Sequence, residues 1–250
     1  MLSEGVQRQL RSALISRAGG YLRNPVREHR VTCATCLRPV NDYPRCWRCN
    51  NDRSAGSLVD AVAALTYAGY DDQSGWVMRR YKPPHSVAEH QQVVALLGLT
   101  GLAAHGACAG RLGPRLPVTH WTCVPSLPAK VGVHPLRQLV APALSGHEVV
   151  LTAAATTSDP RAVDVNHFAV DRPLAAASHV LVVDDTWTTG GHAQSAALAL
   201  RAAGAARVSV LVLARWIDKD DQGSRDFVRG LRDRDFDPSI CPWTGEACPT

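Results

Sequence analysis

Two clusters of residues have the types and spacing to do chemistry. The first is Asp184 and Asp185, which follow an apolar run and lead into Thr186, Trp187, Thr188, Thr189 and Gly190 in "VLVVDDTWTTGG". The second is a double C-x-x-C, Cys33 with Cys36 and Cys46 with Cys49, inside "VTCATCLRPVNDYPRCWRCN". Adjacent carboxylates at the end of a buried strand need a partner, such as a magnesium ion, a helix cap or a pair of hydroxyls. The hydroxyls and glycines that follow favour one answer. Outward-pointing amides at the start of a helix, with Thr side chains around them, make a cup for a phosphate. Carboxylates beside such a cup repel the phosphate unless a ribose bridges the two, its vicinal hydroxyls donating to the acids while its 5′-phosphate fills the cup. The ligand indicated is a ribose 5-phosphate unit.

Four thiolates from paired C-x-x-C motifs flanked by turn formers suit tetrahedral zinc, and with all four positions filled the site is structural. A redox pair of the thioredoxin kind is the alternative, but neither pair sits between a strand and a helix. Cys108 and Cys123 read as core thiols. Cys241 and Cys248 fall in the tail "CPWTGEACPT"; a second metal site there would need further ligands that the sequence does not identify, and the tail reads as inert.

These residues need a scaffold. The chain has 250 residues, 46% hydrophobic and 20% charged, enough for a normal core. The segments "PVTHWTCVP", "HEVVLTA", "HVLVVDD" and "RVSVLVLAR" read as strands. They alternate with helical patterns in "SGWVMRRYK", "SVAEHQQVVALLG", "HPLRQLVAPAL", "GHAQSAALALRAAG" and "SRDFVRGLRDR". Such alternation predicts an α/β domain with a mostly parallel sheet, whose ligands bind at C-terminal strand ends. The expected division is an N-terminal helix over 1–30, a zinc ribbon over 31–56, the α/β domain over 57–235 and a tail over 236–250, with the ribbon and the α/β domain holding separate cores.

The formal charge is +5, and the first 56 residues hold ten Arg against four acidic residues. A basic front end on a near-neutral body suits a polyanionic partner, or reflects an Arg-rich composition alone. No secretory signal is read at the start. The run "VVALLGLTGLAAHGACAG" is long and apolar enough to raise a membrane question, but its His, Thr and Gly favour a buried helix. The expectation is a cytoplasmic protein without membrane insertion.

With these motifs in place, "VLVVDDTWTTGG" resembles the PRPP (5-phosphoribosyl 1-pyrophosphate) signature of type I phosphoribosyltransferases. The double C-x-x-C, "ALTYAGY" and "RRYK", in that order, are similar to the competence-protein-F (ComF) family over roughly residues 30–215. The resemblance implies a Rossmann-like phosphoribosyltransferase fold with helices on both faces of the sheet. It implies that Asp184 and Asp185 hold the ribose hydroxyls. Thr186, Thr188, Thr189, Gly190 and the Trp187 amide would hold the 5′-phosphate, and Mg²⁺ would accompany PRPP. It places a pyrophosphate loop at "CVPSLPAK", with Lys130 facing the leaving group, and it matches Lys82 to a lysine typical of the family. The sequence departs from the family in "VGVHPLRQL" and in "TAAATTSDPRAVDVNHFAV", where pyrophosphate and acceptor are expected. PRPP binding with slow transfer is the resulting expectation. The family's link to competence and DNA uptake implies a second possibility, a factor that binds single-stranded DNA through the ribbon, with Arg38, Arg45, Arg48 and Arg53 on phosphates and a competence-machinery protein as partner.

Overall fold

The structure is a computed structural model that describes residues 2–54, 56, 59–130, 132 and 134–250. Ser57, where the α/β domain was expected to begin, and Val131 and Val133 of "VGVHPLRQL" lie outside the described residues.

The main sheet has five strands: β1 (Ala61–Gly69), β2 (His120–Cys123), β3 (His147–Glu148), β6 (His179–Trp187) and β7 (Arg207–Ile217). Their spatial order is β1-β7-β6-β2-β3, and every pair is parallel. The fold is therefore α/β with a parallel main sheet, as the alternation predicted, and is compatible with a Rossmann-like fold. Two short strands, β4 (Leu151–Ala153) and β5 (Phe168–Val170), form a separate antiparallel pair.

The central strands are apolar on both sides because both faces are covered. Along β6, Leu181 and Val183 join one core while Val180 and Val182 join the other, and β7 alternates in the same way. The first core is built with α1 (Glu4–Ala18), α4 (Ala88–His105) and α5 (Pro135–Val140), through Leu14, Ala18, Val94, Leu97, Leu136 and Val140. The second is built with α6 (Gly191–Ala202), through Ala193, Ala196, Ala197 and Leu200.

Helix α1 starts at a Ser3 cap, whose hydroxyl accepts from the Val6 amide at 3.4 Å, and ends at Gly19. Helix α4 is the apolar run that raised the membrane question. It is long and apolar enough to span a bilayer, but two thirds of that stretch is buried, packed between α1, α5 and the sheet. Its N-cap is Val87, with no side-chain cap. Two further helices are α3 (Gln73–Arg79) and α7 (Gln222–Arg229).

Three expectations are corrected. The segment "HEVVLTA" is not one strand: His147 and Glu148 pair with β2, whereas Leu151–Ala153 pair with β5. The cysteine segment does not hold a separate core, because Cys33, Cys36, Leu37 and Cys49 are buried in the same cluster as Val62, Ala64, Val180 and Val182 of the sheet. Its one helix, α2 (Trp47–Ser54), was not foreseen. Nor is the tail inert. Phe236, Cys241 and Trp243 are buried in the core under α4.

Candidate functional site

The chain leaves β2 toward β3 and leaves β6 toward β7, on opposite sides of the sheet. The crossover helices α5 and α6 accordingly cover opposite faces, and a crevice opens between the C-terminal ends of β2 and β6. Ligands of open α/β sheets bind at such a switch point. A cleft of about 290 Å³ lies there. It is lined by residues 124–127 after β2, by 184–193 after and within β6, and by Lys82, Lys130, His134 and Arg161. The sequence-predicted residues Asp184, Asp185, Thr186, Trp187, Thr188, Thr189, Gly190 and Lys130 are thus brought into one cleft.

Strand β6 runs further than expected. It continues through both aspartates to Trp187, so the loop is only 188–190. Both carboxylates are consequently held by a strand and are buried, Asp184 at 8% and Asp185 at 7% exposure. Trp187 turns its ring into the core. Gly190 takes φ +88°, and a Cβ there would lie 2.4 Å from the Trp187 ring. Only glycine meets both conditions. Gly191 opens α6, and a Cβ on it would come within 2.2 Å of the Arg161 carbonyl oxygen. The 159–162 loop thus rests directly on the first turn of α6. Gly190 provides no side-chain cap, so the first-turn amides, which lack intrahelical acceptors, face the cleft with the positive end of the helix dipole.

The two aspartates differ in their partners. Asp185 Oδ2 accepts from the Tyr81 hydroxyl at 2.8 Å and pairs with the Lys82 ammonium, while Oδ1 accepts from the Thr186 hydroxyl at 3.1 Å. Burial alone would raise the Asp185 pKa, but the Lys82 charge and the hydrogen bonds from Lys82 and Tyr81 outweigh it and hold it below the usual value. Asp184 accepts only from the Asp185 amide, at 2.8 Å, among the described residues. Burial, and then the neighbouring Asp185 charge, hold its carboxyl well above the usual range. Asp185 is therefore the more readily ionised of the two, and a second charge on Asp184 is disfavoured until something stabilises it. Burial and the adjacent carboxylate keep the Tyr81 hydroxyl protonated. Burial, then the Lys82 charge, lowers His134 to about 4, so its imidazole is neutral at pH 7. Burial also lowers His192.

Three cations, Lys82, Lys130 and Arg161, thus line a cleft with two carboxyl groups, of which Asp184 resists ionisation. The net potential suits an anion. Arg137 of "VGVHPLRQL" is not among the residues that line the cleft. Its guanidinium is held by both oxygens of Glu148, at 2.5 and 2.7 Å. Sequence reasoning gave no role to Lys82, and it missed Tyr81 and His134. Only the "RRYK" motif signalled the first two, without saying what they would touch.

The four sulfurs of Cys33, Cys36, Cys46 and Cys49 lie within 4.8 Å of one another. Cys36 and Cys46 are 3.8 Å apart, and a tetrahedron with metal–sulfur bonds of about 2.3 Å requires a separation of about 3.8 Å. The turns that aim them are tight. The Leu37 amide donates to the Cys33 carbonyl at 3.0 Å, and Leu37 takes φ +62°. Four thiols so arranged can hold a metal ion such as zinc. The cysteine segment also touches the cleft wall, for Arg48 Nη2 donates to the Arg161 carbonyl at 2.7 Å.

No protein-family model matches this chain, and no curated protein is significantly similar to it.

Proposed function

We propose that the cleft binds a 5-phosphoribosyl ligand, PRPP with Mg²⁺ or ribose 5-phosphate, in a type I phosphoribosyltransferase fold of the ComF kind. The observation that carries this reading is the juxtaposition of two buried aspartates, Asp185 paired with Lys82 and Asp184 not, with the uncapped start of α6, in one cleft at the switch point. Asp184 offers oxygen that a ribose hydroxyl or a hydrated Mg²⁺ can engage, and carboxylate oxygen suits that ion. The amides around 188–192 and the hydroxyls of Thr186, Thr188 and Thr189 would hold the 5′-phosphate. Lys130 and Arg161 also line the cleft and would supply positive charge to a departing pyrophosphate. A reaction of this class needs little side-chain acid or base chemistry, because it depends on positioning and on charge neutralisation. Lys130 is exposed and Arg137 is engaged elsewhere, so few fixed donors face the leaving group. The reading is therefore tight binding with slow transfer. Cys33, Cys36, Cys46 and Cys49 hold a structural zinc in it.

Titration calorimetry with PRPP and Mg²⁺ tests the binding. Saturable binding that Asp185→Asn weakens by about 1–3 kcal/mol supports the site, and equal affinity in that variant removes the ribose assignment.

One observation favours a second reading, single-stranded DNA binding. Tyr43 and Trp47 are 66% and 78% exposed, the two most exposed large hydrophobic side chains among the described residues, and both lie in the cysteine segment. Base stacking on such rings contributes about 1–3 kcal/mol per base. The arginines expected to grip phosphates are less available. Arg38 pairs with Asp221 at 2.7 Å and Arg48 holds the Arg161 carbonyl, which leaves Arg53 exposed and Arg45 half-buried. Binding of the full chain to an oligonucleotide, weakened by Trp47→Ala and by salt, would favour this reading.

A further inference from the structure

The tail and the end of α4 build something that neither segment shows alone. His105 is the last residue of α4, and the 3-10 turn Gly106–Arg111 carries Cys108 three positions on. The C-terminal segment folds back over this end. Trp243 is buried, and its Nε1 donates to the His105 carbonyl at 2.9 Å. Arg111 and Arg115 hold the last residues through the carbonyls of Pro249 and Thr250, at 3.3 and 2.9 Å. This anchoring delivers Cys241 and Cys248 to His105 and Cys108. The imidazole nitrogen and three sulfurs of the four residues lie within 4.8 Å of one another.

The histidine is oriented for ligation. Its Nε2 is 3.1 Å from the Pro238 carbonyl oxygen. A carbonyl can only accept, so Nε2 carries the hydrogen and Nδ1 presents its lone pair. Nδ1 faces the cluster, 3.3 Å from Cys248 Sγ. A histidine whose far nitrogen is fixed by a carbonyl is the arrangement metal sites use to set tautomer and ring angle. The Cys241–Cys248 turn is itself tight. The Cys241 amide donates to the Glu246 carbonyl at 2.8 Å, the Gly245 amide returns to the Cys241 carbonyl at 2.8 Å, and Gly245 takes φ +84°. His105, Cys108 and Cys241 are buried, whereas Cys248 lies at the surface, where a metal ion can enter.

We propose that His105, Cys108, Cys241 and Cys248 form a second zinc site, tetrahedral and closed, that fastens the C-terminal segment to the end of α4. Three thiolates and one imidazole suit zinc over harder divalent ions. A disulfide would use two of the thiols and leave the third, and the oriented imidazole, without a purpose. The site is independent of the phosphoribosyl reading, and its buried cysteines belong to a different core from those of the N-terminal segment.

Native mass spectrometry of the full chain, purified with reductant and zinc, tests this. Two zinc ions per chain are expected, falling to one in Cys248→Ser, which alters an exposed side chain and spares the core. Cobalt substitution gives an independent readout, since His105→Gln should shift the d–d bands of one cobalt and leave the other. A single zinc per chain in the wild type would overturn the proposal. So would two zinc ions that persist in both Cys248→Ser and Cys241→Ser. A thiol count of six rather than eight, in denatured, metal-free protein prepared without reductant, would assign a disulfide in its place.

Discussion

Lys82 should decide the charge state of the aspartate pair. Its side chain is 36% exposed, while that of Asp185 is 9% exposed. A unit pair about 3 Å apart interacts by about 5 kcal/mol at an effective dielectric of about 20. The exposure of the lysine and the cost of desolvating both groups reduce this, and a net coupling of about 1–2 kcal/mol is the expectation. Lys82→Met leaves Asp185 with only Tyr81 and Thr186 as side-chain partners among the described residues, and should destabilise the fold by about 2–3 kcal/mol at pH 7.5. Asp185→Asn in that background should recover part of the loss. The pH dependence has a defined sign. In the wild type the Asp185 pKa lies below 3.8, so the pair stabilises above that value and is lost as pH falls through the folded pKa. Without Lys82, burial raises the pKa, and stability then declines as pH rises. The gap between wild type and Lys82→Met must therefore widen from acid to neutral pH. Urea unfolding of both single variants and the double variant, at pH 5 and 7.5, measures the cycle. Additive effects, within about 0.5 kcal/mol, would refute the pairing.

Four further outcomes are expected. Because burial and Asp185 raise the Asp184 pKa, Mg²⁺ bound at that carboxyl competes with its proton; Mg²⁺-dependent PRPP affinity should rise with pH, and calorimetry in buffers of different ionisation enthalpy should show proton release. Lys130→Ala should lower any residual transferase rate by about tenfold or more while leaving ribose 5-phosphate affinity nearly unchanged, as steady-state assays and calorimetry would show together. Gly191→Ala should push the 159–162 loop off α6 and abolish binding of 5′-phosphate compounds, with the far-ultraviolet circular dichroism of the fold retained. His134, at about 4 against an ordinary 6.5, favours the unfolded state as pH falls through that window, so thermal melts should show an acid-side loss of stability that His134→Gln reduces.

The parallel sheet was legible because β6 and β7 contain aliphatic runs, Val180–Val183 and Val210–Leu213, separated by a helix of a different period. That residues 184–190 share one cleft was legible because they are contiguous. What escaped was chemistry assembled from distant segments. Tyr81 and Asp185 are 104 residues apart, and nothing in either neighbourhood encodes their contact. The same holds for Cys248 and His105, 143 residues apart, which is why the tail read as inert. The split of "HEVVLTA" was hidden for another reason. Val149 donates to Trp121 of the main sheet at 2.8 Å, whereas the amide of Val150 goes to the Asp171 carboxylate at 3.2 Å. One apolar run thus serves two sheets, and hydrophobic periodicity cannot mark the point where a chain crosses between them.

The placement of the cysteine segment changes what its metal could be for. A ribbon with its own core would be an appendage, free to serve a partner while the cleft did something else. Here Cys33, Cys36 and Cys49 are packed against the face of the sheet that also carries α6. Tyr67 of β1 donates to the Leu37 carbonyl at 2.9 Å, inside the first turn of the cysteine segment. On its other side, Arg48 grips the carbonyl of Arg161, the same oxygen that Gly191 must approach without a side chain. Arg161 in turn lines the cleft. The chain of contact runs from the four thiols, through α2 and one carbonyl, to the first turn of the helix that faces the ligand. A metal at those thiols would therefore stiffen the cleft wall as well as its own loop, and the fold gives the N-terminal segment a share in whatever the two aspartates bind.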